Sequence, residues 1–290
     1  MDLNHLIDKF LSEIRDIDVK INQPKKRKLE YLSQNVSAPN NPAPTKKKPK
    51  TDEFNQIKNT GYQNKFGIHS TIVKDGSVIW FRNGNRHRDG DLPAVIYTNG
   101  DLKWYQNGLL HRDGDLPAII MRNGNYVWYQ DGKIHRDNDK PAIIFSDGRK
   151  RWYQNGLLHR DYDEPASISP DGTMLWYQNG LIHRDNDLPA VVNPGIEYKW
   201  YCHGVIHRDY DLPAIIRVNK TIVWYHNGKI NRFNDLPAII RPSGKNEWFV
   251  NGQRYREFNK PNIVYTNGME YQNVTGQLYN TYYYLLNWYD

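Results

Sequence analysis

A His-Arg-Asp triplet recurs six times at a constant spacing, starting at His87, His111, His135, His159, His183 and His207. An imidazole, a guanidinium and a carboxylate in succession are side chains of acid–base catalysis or metal binding. If the copies belong to successive pairs of β-strands, however, equivalent histidines lie roughly 10 Å apart, too far to share a metal ion. An enzyme also needs one distinct site, and no nucleophile recurs beside the triplets. We therefore expect no catalytic, cofactor-binding or metal-binding residues, and a protein that is not an enzyme.

The same residues have a structural interpretation. Asp91, Asp115 and their equivalents stand just before a recurring proline, where we expect the carboxylate to hydrogen-bond the loop backbone. Arg112 and its equivalents are then expected to pair with an aspartate of their own or of the next unit. A calcium site in the Asp-x-Asp loop is the alternative, because carboxylates at alternate positions are ligands for hard cations.

The His-Arg-Asp triplets belong to a longer repeat, which the spacing of the tryptophans reveals. Eight tryptophans are 24 residues apart, and a glycine and a proline keep the same step. Fixed periods of this length indicate a repeat architecture. The sequence thus predicts eight tandem units over 80–271, each reading approximately Trp-Tyr-x-Asn-Gly-x-x-His-Arg-Asp-x-Asp-x-Pro-Ala-x-Ile-x-x-Asn-Gly-x-x-x. The eight tryptophans are Trp80, Trp104, Trp128, Trp152, Trp176, Trp200, Trp224 and Trp248.

Turn signals define the strands of each unit. Asn107-Gly108 and Asn123-Gly124 are flanked by β-branched and aromatic residues, a pattern typical of two-residue type I′ hairpins. Two strands per unit then make an all-β hairpin solenoid, an elongated and twisted single antiparallel sheet on the order of 80 Å long.

Turn register predicts which side chains face each other. The first turn pairs Tyr105 with Leu110, and the second pairs Ile119 with Trp128. Both faces are then apolar, so one aromatic row is either a partial core or a binding surface. Because a residue repeated in every unit usually packs on its neighbours, we expect a structural row, with a stacking platform for bases, sugars or peptides as the alternative. Its representative residues are Trp104, His111, Arg112, Asp115, Trp128, Trp152 and Trp176.

Residues 1–23 precede the array and have the spacing of an amphipathic helix. The polar face is mixed and slightly acidic, unlike helices that bind anionic membranes. We expect this helix to dock on a protein partner or to self-associate, with packing on the repeat array as the alternative. The proposed partner-binding residues are Leu6, Ile7, Phe10, Leu11, Ile14 and Ile17.

The net charge of +7 is confined to one short tract. Residues 24–50 contain eight basic groups and one acidic group, whereas 1–23 contain three and five, and 51–290 contain 28 and 26. The nearly neutral repeat region argues against a broad nucleic-acid-binding face. We predict a disordered linker over 24–60, with nuclear targeting or weak nucleic-acid contact as alternative roles. The basic residues are Lys25, Lys26, Arg27, Lys28, Lys46, Lys47, Lys48 and Lys50.

The remaining features concern the ends of the array and the cellular compartment. We expect residues 61–79 to form a partial first unit. We expect the aromatic segment 272–290 to cap the last strands. The chain has no apolar run of about 18 residues and no signal-peptide pattern, so we expect neither a membrane span nor secretion. The single cysteine, Cys202, cannot form an internal disulfide or a cysteine-rich zinc site.

The segment Trp-Tyr-Gln-Asn-Gly-Leu-Leu-His-Arg at Trp104–Arg112 resembles MORN-type repeats, especially the diverged arrays encoded by giant DNA viruses of amoebae. The resemblance covers roughly residues 61–272, although the family's further glycines after the turn are replaced by Arg112 and Asp113. It implies a non-enzymatic scaffold without catalytic residues, which presents a long sheet face to protein partners, sometimes as a homodimer. It also implies an intracellular location in the host cytoplasm, the viral factory or the virion. The basic tract at 24–50 leaves the nucleus as the alternative.

Overall fold

The computed structural model describes residues 68–257, 260–274 and 277–280. Within these ranges the protein is all-β and contains no helix. The predicted N-terminal helix and basic linker lie outside the described residues. The chain divides into two compact units. The first contains residues up to Gly100 together with Trp104–Gly108, and the second contains Asp101–Lys103 and the residues from Leu109 onward.

Most strands are two residues long, because each unit packs two turns and a proline loop into 24 residues. In chain order they are β1 (Ile68–Ile72), β2 (Val78–Arg82), β3 (Asn85–Arg86), β4 (Val95–Ile96), β5 (Leu102–Lys103), β6 (Tyr105–Gln106), β7 (Leu109–Leu110), β8 (Ile119–Ile120), β9 (Tyr126–Val127), β10 (Tyr129–Gln130), β11 (Lys133–Ile134), β12 (Ile143–Ile144), β13 (Lys150–Arg151), β14 (Tyr153–Gln154), β15 (Leu157–Leu158), β16 (Ser167–Ile168), β17 (Met174–Leu175), β18 (Tyr177–Gln178), β19 (Leu181–Ile182), β20 (Val191–Asn193), β21 (Glu197–Lys199), β22 (Tyr201–Cys202), β23 (Val205–Ile206), β24 (Ile215–Arg217), β25 (Ile222–Val223), β26 (Tyr225–His226), β27 (Lys229–Ile230), β28 (Ile239–Ile240), β29 (Asn246–Glu247), β30 (Phe249–Val250), β31 (Gln253–Arg254), β32 (Ile263–Val264), β33 (Glu270–Val274) and β34 (Gln277–Asn280).

The first turn of each repeat has the predicted type I′ geometry. Asn107 and Gly108 have φ values of 48° and 86°, both in the left-handed region that this turn requires. In the second compact unit, strands β10 and β11 pair so that Tyr129 lies opposite Ile134, the equivalent of the predicted Tyr105–Leu110 pair. The Asn-Gly signal therefore predicted both the turn and its register.

The second turn of the repeat differs from the prediction of another type I′ turn. Gly124 has a φ of 89°, whereas Asn123 is not in the left-handed region. The Gly124 N–H donates to the Met121 carbonyl at 2.9 Å, and the Met121 N–H donates to the Asn125 carbonyl at 2.9 Å. This is a type I turn followed by a bulge with glycine in the left-handed conformation, so the loop is one residue longer than predicted.

The longer loop changes the strand register by one residue. Ile119 lies opposite Val127, so the predicted pair of Ile119 with Trp128 was wrong. Trp128 instead marks the point at which the chain leaves the sheet. Its N–H donates to the carbonyl of Ala142 at 2.8 Å, and its carbonyl accepts the N–H of His135 at 3.2 Å.

Strand pairing in the second compact unit forms one long antiparallel ladder, which runs from β5 through β8, β9, β12 and β13 to β33 and β34. The hairpins after the tryptophans from Trp128 onward, such as β10–β11 and β14–β15, are separate two-stranded sheets. A single sheet was predicted, and the structure has a long ladder with a row of hairpins beside it. In the first compact unit, β2 pairs with β1, β3 and β4.

The core lies between the long ladder and the hairpins. Ile215, Val223 and Ile239 are buried neighbours on one face of the ladder, and half-buried hairpin residues including Tyr225 and Phe249 pack against them. The eight repeat tryptophans are buried, and seven of the eight repeat prolines are followed by a fully buried alanine such as Ala142. The hairpins thus cover a ladder face that a single sheet would have left exposed.

Candidate functional site

Several contacts between successive repeats converge on one arginine. The Arg136 guanidinium carbon lies 3.8 Å from the centroid of the Trp128 ring. Its Nε and Nη2 donate to the two carboxylate oxygens of Asp115 at 2.6 and 3.1 Å, and its Nη1 donates to the Pro141 carbonyl at 3.2 Å. A planar guanidinium can stack on a ring and bind a carboxylate in the same plane, which an ammonium cannot do. We call this set of contacts the arginine junction.

Backbone conformation orients the aspartate of the junction. Asp115 has a φ of 56°, and its carbonyl accepts the Trp128 Nε1–H at 3.0 Å while its carboxylate binds Arg136. Lys140 adds a third donor, with its Nζ 2.7 Å from the carboxylate. The hydrogen bond from Arg136, helped by Lys140, holds the pKa of Asp115 below its ordinary value although partial burial opposes the shift.

The arginine junction repeats along the second compact unit. From Arg136 onward, each of these arginines binds the second aspartate of the preceding repeat, whereas we had predicted an aspartate of the same or the next repeat. The carboxylate at Asp115 consequently binds side chains of the following repeat, where we had predicted bonds to its own loop backbone. The further pairs are Arg160–Asp139, Arg184–Asp163, Arg208–Asp187, Arg232–Asp211 and Arg256–Asp235.

Histidine forms a second contact between repeats, which we call the histidine junction. His135 Nδ1 accepts the backbone N–H of Asn155 at 3.1 Å, and its Nε2 lies 2.9 Å from the Asp137 carboxylate. A backbone N–H can only donate, so the hydrogen bonds assign the proton to Nε2 and a neutral ring. Gln130 donates to the other carboxylate oxygen at 2.8 Å, and the bond from His135 is the main cause that lowers the pKa of Asp137.

The histidine junction recurs with little change in distance. At the histidine position of the next-to-last repeat, Asn231 Oδ1 accepts the N–H of Asn251 at 3.2 Å. A hydrogen-bond acceptor is therefore the shared property of this position. The pairs of turn N–H and histidine Nδ1 are Asn107–His87, Asp131–His111, Asn155–His135, Asn179–His159, His203–His183 and Asn227–His207.

Shallow clefts lie between consecutive triplets. One of about 450 Å³ is lined by residues that include His135, Arg136, Tyr153 and His159, and neighbouring clefts measure about 330 and 220 Å³. Most of the lining groups belong to the arginine and histidine junctions, and Tyr153 and Tyr162 also line the cleft of about 450 Å³. A row of similar clefts differs from the single well-formed pocket that is usual for small-molecule sites.

The structure places the predicted structural row at these junctions. Trp104, Trp128, Trp152 and Trp176 are buried, and each indole N–H donates to the carbonyl of an Asp 13 residues earlier, at 2.9–3.1 Å. His111 belongs to the histidine junction. Arg112 donates to the Pro117 carbonyl at 3.3 Å. The predicted partner-binding helix from Leu6 to Ile17 and the basic residues from Lys25 to Lys50 lie outside the described residues.

Sequence reasoning missed two contributions. The first is the stacking of arginine on tryptophan, such as Arg136 on Trp128. The second is Gln130, which holds the same aspartate as His135. Its signal was present, because Gln recurs seven residues before the first Asp of the repeat. Within the described residues, one group of three side chains has metal-ligand chemistry, namely His183, Cys202 and His203, whose ligand atoms lie within 4.8 Å of one another.

No protein-family model matches the chain, and no curated protein does. Among the residues that the structure describes, no helix has the length and apolar character needed to cross a membrane. The repeated hairpins and their junctions are features of a structural repeat protein.

Proposed function

We propose that the protein is a non-enzymatic scaffold of the MORN-like kind, encoded by a giant DNA virus and acting inside the infected cell. In this proposal the repeat array is a stiff docking surface for a protein partner. The N-terminal helix, residues 1–23, anchors a second partner or a second copy of the chain. The linker at 24–60 allows both ends to engage at once.

The observation that carries the proposal is that the histidine, arginine and aspartate side chains of the repeats bind one another. Arg184 is 7% exposed and bound to Asp163, and His183 and Gln178 both hold Asp185. Imidazole, guanidinium and carboxylate groups that bind each other across repeats stabilise the array. Nearest-neighbour contacts of this kind are what make repeat arrays stiff.

An exposed apolar stripe on the hairpins supports the docking role. The residue after the glycine of the first turn is aliphatic and about half exposed in several repeats. Equivalent positions on successive hairpins of an array form a row, and exposed aliphatic rows of this kind are typical of protein interaction surfaces. We call this row the hairpin stripe, and it consists of Leu109, Leu157, Leu181 and Val205.

The chain supplies a matched substitution for testing the hairpin stripe. Lys133 and Lys229 occupy the same hairpin position in other repeats, so lysine is compatible with the fold. We expect the Leu157→Lys/Leu181→Lys variant to fold like the parent, as judged by its thermal midpoint, and to recover less of the partner in co-purification from the native source.

Deletion of residues 1–23 tests the anchor separately. We expect the deletion to remove one set of co-purified proteins, or self-association measured by sedimentation, while the array stays folded. If neither the deletion nor the lysine variant changes what is recovered, with both proteins folded, the scaffold proposal is wrong.

A nucleic-acid role is the second candidate, because residues 24–50 carry eight basic groups and one acidic group. Binding through phosphate contacts weakens steeply as salt rises. The candidate predicts salt-dependent DNA or RNA binding by the full chain. Neutralising the two basic clusters, Lys25–Lys28 and Lys46–Lys50, should abolish this binding, whereas the lysine variant of the hairpin stripe should retain it.

A further inference from the structure

The repeat that begins at Trp200 departs from the others at two consecutive positions. Three earlier repeats have Gln followed by Asn at the first turn, as in Gln154-Asn155 and Gln178-Asn179. This repeat has Cys202 and His203 there. Both replacements introduce metal-ligand side chains, and His203 keeps the left-handed turn conformation, with a φ of 46°. The replacement of a good turn residue by histidine gains nothing for the turn itself.

These two residues meet the histidine of the preceding repeat. The ring centroids of His183 and His203 are 4.2 Å apart, and Cys202 Sγ lies 3.3 Å from His203 Nδ1. Equivalent histidines of the array belong to different repeats, but His203 occupies a turn position beside His183. The distance argument against a shared metal therefore does not apply to this pair.

The separations suit a small tetrahedral cation. Zn–N lengths of about 2.0–2.1 Å and Zn–S lengths of about 2.3 Å correspond to donor atoms roughly 3.4–3.6 Å apart. The observed ligand atoms are all within 4.8 Å of one another. Cys202 and His203 are exposed, so rotation of their side chains can close the remaining distance without moving the buried His183.

His183 is already oriented as a ligand. Its Nε2 lies 3.0 Å from the Asp185 carboxylate, which Gln178 also holds at 2.6 Å. Metal-binding histidines commonly donate their second ring N–H to a carboxylate in this way. Its Nδ1 faces the turn and accepts the His203 N–H at 3.3 Å, the longest of the six histidine junctions in the described residues. A metal ion at Nδ1 would take the place of this hydrogen bond and would lie near the Tyr201 carbonyl, whose oxygen is 3.4 Å from Nδ1.

We propose that His183, Cys202 and His203 form a zinc-binding site, with Nδ1 of His183 and the Cys202 thiolate among the ligands. One thiolate and two imidazoles favour a borderline-soft cation such as Zn²⁺ over Mg²⁺ or Ca²⁺. Three protein ligands leave the fourth position for water or a partner side chain. The site is independent of the proposed scaffold function.

The test uses the full chain, freed of metal by a chelator and kept reduced. Titration with Co²⁺ is expected to produce thiolate-to-cobalt absorption that saturates at one ion per chain and disappears when Zn²⁺ is added. Competition with a chelating indicator then gives the Zn²⁺ affinity. Mg²⁺ is expected to leave the cobalt spectrum unchanged.

The other repeats provide a control variant. Cys202→Gln/His203→Asn restores the pair found at Gln178-Asn179, so the hairpin is expected to remain folded. We expect this variant to lose the absorption band and to bind Zn²⁺ more than 10-fold more weakly. Asp185→Asn, which leaves all three ligands in place, is expected to weaken binding by about 10-fold. The absence of a thiolate band in the parent, or equal Zn²⁺ binding by parent and double variant, would overturn the proposal.

Discussion

The side-chain oxygen of Asn231 accepts the backbone N–H of Asn251 at 3.2 Å, in the place where His207 Nδ1 accepts the N–H of Asn227 at 3.1 Å one repeat earlier. An amide side chain neither gains nor loses a proton near neutral pH, yet it maintains the contact. The array therefore requires an acceptor at this position and not an acid or a base.

His159 permits a direct test of that requirement, because its Nδ1 accepts the Asn179 N–H at 3.1 Å. We expect His159→Asn to retain this bond and His159→Ala to lose it. Both variants lose the contact with Asp161, so the difference in their stability measures the contribution of the hydrogen bond from the Asn179 N–H. The free energy of unfolding, measured in urea, should be lower in the alanine variant by about 0.5–1.5 kcal/mol. Equal stabilities would contradict the assigned role.

The arginine junction predicts that lysine is a poor substitute for Arg184. Lysine keeps the charge but loses the two-pronged contact with Asp163 and the stacking on Trp176, whose ring centroid is 3.8 Å from the guanidinium carbon. We expect Arg184→Lys to lower the free energy of unfolding by about 1–3 kcal/mol.

The control for Arg184→Lys is Arg149→Lys. Arg149 is 45% exposed and pairs with Asp147 of its own turn, and its guanidinium carbon lies 4.6 Å from the centroid of the Phe145 ring. Because exposed contacts of this kind contribute little, its substitution is expected to lower the free energy of unfolding by less than about 1 kcal/mol. If both lysine variants unfold alike, the junction does not stabilise the array in the way proposed.

Acid should weaken the junction at Asp235. Hydrogen bonds from Arg256, and next from Lys260, lower the pKa of this carboxyl from 3.8 to about 2. Because the folded pKa lies below the unfolded one, the stabilisation is present above pH 3.8 and is lost as the pH falls to about 2. The difference in unfolding free energy between the parent and Asp235→Asn should be constant near neutral pH and shrink in that range. A difference that is the same at pH 2 and pH 7 would rule out the linkage.

Two repeats place tyrosine where others have asparagine. Tyr162 has a φ of 62° and is 91% exposed, and Asn138 and Asn186 adopt the same conformation at equivalent positions. Left-handed backbone is less costly for asparagine than for an aromatic residue. We expect Tyr162→Asn to raise the free energy of unfolding by about 0.5–1 kcal/mol, measured by thermal or urea unfolding.

The reciprocal change, Asn186→Tyr, is expected to lower stability by a similar amount. If Tyr162→Asn destabilises the protein, the ring makes contacts that its exposure does not indicate. If Tyr162→Asn keeps its stability but no longer binds a protein partner, the Tyr162 ring takes part in binding that partner.

Some of this structure was readable from the sequence and some was not. The 24-residue period and the Asn107-Gly108 signal predicted the hairpins, because only a few residue types tolerate two left-handed positions. The second turn was misread because Asn-Gly is compatible with both a type I′ turn and a type I turn with a bulge. Hydrogen bonds at Met121, and not residue types, distinguish the two.

The direction of the arginine pairing was hidden for a different reason. In a strict repeat, the aspartates before and after Arg136 are identical in sequence, so spacing cannot choose between Asp115 and Asp139. The choice depends on the left-handed conformation of Asp115, which turns its carboxylate toward the following repeat. The separation of hairpins from the ladder at Trp128 likewise follows from backbone bonds that the residue pattern does not reveal.

Because every junction joins one repeat only to its neighbour, the array can change length by whole repeats. Removal of residues 128–151 would join Val127 to Trp152 and bring Arg160 to Asp115, with the same pair of residue types as before. Insertion of a copied block would likewise create one more junction without altering the others. A gene of this kind can therefore evolve by duplication and loss of single repeats, each yielding a protein whose internal contacts remain complete.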